Sequence, residues 1–167
     1  SSIDFSIIGG TRSLQNFSGS LRLPFDFENG AADKNYIYAF DSFGNKLVKI
    51  DRSSMTVFVS TYGSLGTGTT SFNYIQEIAV ETPEKGNLLI VDHMNHRLKE
   101  HRKSDLSFVR QYGQLGNQAT SFYNVTGVDW DARSIYVGDD GNQRIVRMDR
   151  EYIVQAQAKL DINTIGN

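Results

Sequence analysis

Tyr62-Gly-Ser-Leu-Gly-Thr-Gly-Thr-Thr-Ser-Phe72 and Tyr112-Gly-Gln-Leu-Gly-Asn-Gln-Ala-Thr-Ser-Phe122 are two copies of one pattern, Y-G-x-L-G-x-x-x-T-S-F, set 50 residues apart. Self-similarity at a fixed period of this length is the mark of a repeat architecture. The same features follow each copy in the same order: an apolar strand (Ile75 to Val80, Val125 to Trp130), a turn, a second strand, an Asp, and an Asn opening a third strand. A second landmark extends the repeat upstream. Tyr36 to Asp41 leads to Asn45, Leu88 to Asp92 leads to Asn95, and Ile135 to Asp139 leads to Asn142, with Asn-to-Asn spacings of 50 and 47.

A unit of that length holds four short strands joined by tight turns, which is one blade of a β-propeller. The expected fold is therefore all-β, with propeller blades of four antiparallel strands and three blades in the chain, spanning about 11–62, 63–112 and 113–157. The first strand of each unit (Leu23 to Phe27, Ile75 to Val80, Val125 to Trp130) and the second are nearly continuous apolar runs, as strands sandwiched between neighbouring blades should be. In Lys46-Leu-Val-Lys-Ile50 and Arg144-Ile-Val-Arg-Met148 the third strand alternates cationic and apolar side chains, which predicts a half-exposed position. The fourth (Thr56 to Tyr62, Leu106 to Tyr112, Tyr152 to Gln157) is expected at the outer edge.

The signature Asp-x-x-Asn-x-Arg-hydrophobic, carried by Asp92, Asn95, Arg97 and Leu98 and again by Asp139, Asn142, Arg144 and Ile145, resembles the NHL repeat. The middle copy, Asn95-His-Arg-Leu98, is closest to that family's pattern, and the resemblance covers roughly residues 5 to 157. The first unit departs from it. Asp41 and Asn45 are one residue further apart, Lys46 and Leu47 replace the Arg-containing step, and the family's Pro before the first strand survives only as Pro24. The resemblance implies a six-bladed ring, of which this chain would supply half.

Three blades leave an arc with uncovered apolar faces, which drives association. A second copy completing a two-fold ring, a longer parent chain, or head-to-tail stacking into a fibre would each cover them. Residues 1–10 hold Ile3-Asp-Phe-Ser-Ile-Ile8, a stray outer strand or arm expected to add to a neighbouring protomer or to the closing blade, and 158–167 read as a C-terminal tail.

Composition narrows the function classes. With 39% hydrophobic and 22% charged residues the chain can bury a core, and its net charge of −2 gives no footprint for nucleic acid or an anionic membrane. No run approaches the roughly 18 apolar residues of a membrane span. The absence of cysteine excludes disulfides and thiolate metal sites. Two sequons, at Asn16 and Asn124, are glycosylation candidates, the start at Ser1-Ser2 without a Met reads as a processed or trimmed product, and an extracellular or secreted location is a separate expectation.

His93, His96 and His101 lie within nine residues and invite a zinc reading, but no matching His stands in the other units. Asp41, Asp92 and Asp139 recur where a turn-forming carboxylate is needed. Lys46, Lys49, Arg97, Lys99, Arg102, Lys103, Arg144, Arg147 and Arg150 are interleaved with acids and are expected to form a solvated mixed-charge face. The repeat-signature residues are therefore expected to be structural, and neither a catalytic residue nor a cofactor is expected. The expected function is a non-catalytic module for protein or glycan contact and self-assembly. The alternatives are a metal-dependent propeller enzyme of the amidating-lyase or lactonase type and a single-stranded RNA-binding module.

Overall fold

A computed structural model of the chain describes residues 2–4, 27–54, 58–81 and 86–159. They form three antiparallel sheets in chain order. The first blade contains β2 (Phe27–Ala32), β3 (Tyr36–Asp41), β4 (Lys46–Asp51) and β5 (Phe58–Tyr62), with β1 (Ser2–Asp4) added alongside β2. The second is β6 (Ile75–Val80), β7 (Asn87–Asp92), β8 (Arg97–Arg102) and β9 (Phe108–Tyr112). The third is β10 (Val125–Trp130), β11 (Ser134–Asp139), β12 (Arg144–Asp149) and β13 (Val154–Lys159).

The recurrent Asp sets the register. Phe27 pairs with Asp41, Ile75 with Asp92 and Val125 with Asp139, and each innermost strand bulges immediately after that pair. This anchoring extends the first strand of the first blade, expected to end at Phe27, on to Ala32. Residues 11–26, Asn16 and Leu23 to Asp26 with them, lie outside the described residues. Leu106 and Tyr152 stand at positive φ in the turns ahead of the outermost strands with their side chains buried, so those strands begin two residues later than expected. Ala158 and Lys159 accordingly belong to β13, not to a tail. The described part of the N-terminal stretch, Ser2–Asp4, pairs with β2 of its own chain instead of reaching away as an arm. The innermost strand of a blade offers an unpaired row of N–H and C=O groups on its inner side, and a neighbouring strand satisfies them.

Two apolar layers lie between the blades. Tyr38, Phe40 and Leu47 of the first blade pack with Phe72, Ile75, Leu88 and Ile90 of the second. Leu89, Val91 and Leu98 on the opposite face of the second blade pack with Phe122, Val125, Ile135, Val137, Val146 and Met148 of the third. Alternation along β7 thus feeds both layers, so five successive residues of that strand are buried. Full burial of each such side chain contributes about 1.5–3 kcal/mol. At Gly63 and Gly113, φ is +110° and +97°, and a Cβ would stand 2.7 Å and 2.4 Å from the rings of Phe72 and Phe122. Only glycine lets the connecting loop lie flat on that ring.

Candidate functional site

The signature residues build a clamp on the loop that links consecutive blades. The carboxylate of Asp92 accepts from the Asn73 N–H at 2.7 Å, from Asn95 Nδ2 and from Arg97 Nε at 2.7 Å. Arg97 then donates through its Nη atoms to the carbonyls of Thr67, Gly68 and Ser71, while Asn95 donates to Gly66. The third blade repeats this: Asp139 accepts from Tyr123 N–H, Asn142 and Arg144, Arg144 donates to the Asn117, Gln118 and Ser121 carbonyls, and Asn142 to Gly116. Orphan carbonyls of a Gly-rich loop thus gain charge-assisted donors in a buried setting. In the first blade Asp41 accepts from the Phe43 and Gly44 N–H groups, and Asn45 donates to Ser42.

Further ties run from each blade to the next. Lys49 Nζ donates to the Lys103 and Ser104 carbonyls, and Arg110 to the Arg150 carbonyl. Asn45 Oδ1 accepts from Tyr74 N–H and His96 Nδ1 from Asn124 N–H, both donor residues standing at positive φ. Lys49, Arg97, Lys99, Lys103 and Arg144 are buried, which corrects the expected solvated cationic face. Their stems pack between blades while the charged ends reach carbonyls, an arrangement with the same sequence alternation as a wetted strand.

The three histidines serve separate backbone groups: His93 Nδ1 donates to Val125 O, His96 accepts as above, and His101 Nδ1 donates to Leu106 O. Among the described residues no group of three or more His, Cys, Asp or Glu is placed to hold a metal ion. His101 lies between the rings of Tyr62, Phe72 and Phe108, and burial pushes its pKa down to about 4. Lys99, whose Nζ donates to Thr69 O and Ser71 O, is pushed down to about 8, first by burial and then by Arg97. Both folded values lie below the unfolded ones, so the unfolded chain binds more protons and stability rises with pH in two windows: from about 4 to 6.5 for His101 and from about 8 to 10.5 for Lys99. Denaturant unfolding is expected to show a gain on the order of 2 kcal/mol across the acid window that His101→Met removes, since Met148 fills the equivalent place in the third blade. An unchanged acid limb in that variant would show that another group causes it.

The sequence reasoning expected uncovered apolar faces on the arc but did not say which residues form that of the third blade. Equivalent positions, fixed by the strand register, are Phe40, Val91 and Gly138, then Leu47, Leu98 and Ile145, then Tyr62, Tyr112 and Ala158. In the first two blades the next blade covers these positions. Leu47 and Leu98 are fully buried, whereas Ile145 is 56% exposed and Tyr136 39%. Arg147 and Gln143, which stand where Lys49 and Glu100, and Asn45 and His96, make their ties, are exposed. With Gly138 and Ala158 in place of larger residues, a cleft of about 520 Å³ opens beside Ile145 and Gln143. The shrinkage from Phe and Val to Gly, and from Tyr to Ala, was legible in the aligned repeats.

Solved structures share the fold of the three sheets. A streptogramin B lyase matches with a TM-score of 0.58 at 12% identity over 84% of this chain and 43% of that one. BamB from Moraxella catarrhalis matches with 0.56 at 12% over 89% and 39%, and an exported protein of Bacteroides fragilis with 0.58 at 14% over 79% and 37%. The fold is a β-propeller. The chain spans less than half the length of these three propellers. No family model and no curated protein matches it.

Within the propeller frame, the inner edges of the blades form a second cleft of about 320 Å³ beside Glu77 and Asp129. Burial raises the Glu77 pKa, with Asp129 adding to the rise, and its carboxylate accepts the Val128 N–H at 2.8 Å. Glu77 thus ties two innermost strands, as Asn29 does by donating to Ile75 O. The candidate sequon residue Asn124 is half-buried at the same junction, its N–H on His96. No helix among the described residues is long and apolar enough to cross a membrane.

Proposed function

We propose that this chain is a non-catalytic propeller module of the NHL type that acts by contact with protein or glycan, and that contacts with further copies of itself complete its ring or fibre. The observation that carries this reading is the exposure of Ile145, Tyr136, Arg147 and Gln143 at positions that the other two blades bury or tie to a successor. A propeller needs four or more blades to close, and an uncovered blade face promotes association. The signature Asp, Asn and Arg side chains are engaged in holding loops, which supports a structural role for them. An extracellular location fits the likeness to the exported Bacteroides protein.

Light scattering tests the assembly. The purified chain is expected to show a mass of two chains or more at micromolar concentration, and Ile145→Lys to shift it toward one chain. A wild-type chain that stays single at every accessible concentration would contradict the proposal.

A further inference from the structure

Both internal junctions carry the same ion pair. The acid is the first residue after the innermost strand of the leading blade, and the base lies in the turn after the third strand of the following blade. Asp33 meets Lys103 at 3.3 Å, and Glu81 meets Arg150. The pattern has one unmatched member at each end of the arc. Asp131 stands where Asp33 and Glu81 stand: its N–H donates to Ser134 O, as theirs donate to Tyr36 O and Asn87 O. Arg52 stands where Arg150 stands, since its Nη1 donates to Asp33 O as that of Arg150 donates to Asp131 O. Arg52 and Asp131 are exposed, and among the described residues neither forms an ion pair.

We infer that a second copy of this chain docks with its Arg52 turn against Asp131 of the first, completing in trans the junction that each chain forms twice within itself. The inference rests on the self-association proposed above and names its surfaces. Arg147 supports the same docking: it occupies the place of Lys49, whose Nζ donates to the Lys103 and Ser104 carbonyls, and the corresponding turn of the partner is Arg52–Ser53. The charges are complementary and their order along the arc is fixed, so the contact is head to tail. Two copies joined this way make two identical junctions and a ring, and an imperfect rotation makes a fibre. Ile37, Val48 and Ile50 of the first blade are buried within the chain, so the docking rests on the exposed Arg52 turn and not on those side chains.

Charge reversal decides it. Arg52→Asp and Asp131→Arg each bring like charges together, and each is expected to weaken self-association by at least about ten-fold in sedimentation equilibrium. Both residues are exposed, so the circular dichroism spectrum should stay that of wild type. The concentration dependence of the melting midpoint, which association alone produces, separates lost docking from the lost turn hydrogen bonds of Arg52 and Asp131. An equimolar mixture of the two variants restores opposite charges at both junctions and is expected to associate again with nearly wild-type affinity. Self-association that persists unchanged in both single variants would overturn this docking while leaving self-association standing. A wild-type chain that does not associate would overturn both, and a mixture no tighter than either variant alone would overturn the pairing.

Discussion

Replacing Arg144 by alanine is expected to lower the unfolding free energy by about 3–5 kcal/mol, the range for removing one partner of a buried ion pair. The arginine and Asp139 are almost wholly buried, with side-chain exposures of 3% and 0% and a contact of 2.7 Å. Truncation leaves the carboxylate in a low-dielectric setting with only Asn142 and the Tyr123 N–H as donors, and strips a donor from the carbonyls of Asn117, Gln118 and Ser121. A desolvated charge without its counter-charge costs more than the pair contributes. Arg147→Ala, three residues on and exposed, is expected to change stability by no more than about 0.5 kcal/mol. Urea unfolding of the two variants side by side measures the difference. A loss below about 1 kcal/mol for Arg144→Ala would show that the clamp does not hold the inter-blade loop.

Phe122→Ala is the second large effect, at about 3–5 kcal/mol. The ring is fully buried, lies 5.8 Å from Tyr112 between centroids, and has Gly113 lying flat against it. The loop on that ring is not placed to collapse into the vacated volume, because Gly113 has no side chain and the loop is pinned by Arg144 and Asn142. Phe122→Leu keeps most of the apolar area and is expected to cost less than half as much. Equal losses for the two variants would mean that the ring's shape, not its burial, sets the energy.

The two Y-G-x-L-G tracts and the Asp, Asn and Arg of the signature made the blades legible from sequence because each copy plays the same local part, with a glycine under an aromatic ring and a carboxylate holding an arginine on a loop. Asp92 and Asp139 each hold the Asn and the Arg of their own signature copy by hydrogen bonds. Two features were not legible. Lys49 and Lys99 alternate with apolar residues as a wet-faced strand would, and only the neighbouring blade's carbonyls explain their burial. The exposure of Ile145 is equally silent in its own sequence, since Leu47 and Leu98 occupy the same place and are buried by a following blade. The end of the first strand was placed too early because the apolar run stops at Phe27, whereas the pairing of Phe27 with Asp41, residues 14 apart, carries the strand on to Ala32.

Averaged particle images of the purified chain test the central claim most directly, because they count blades. The account predicts closed two-fold rings of six blades, or filaments built from the same three-blade arc joined end to end. Isolated three-bladed arcs at concentrations where the chain is fully folded would contradict it.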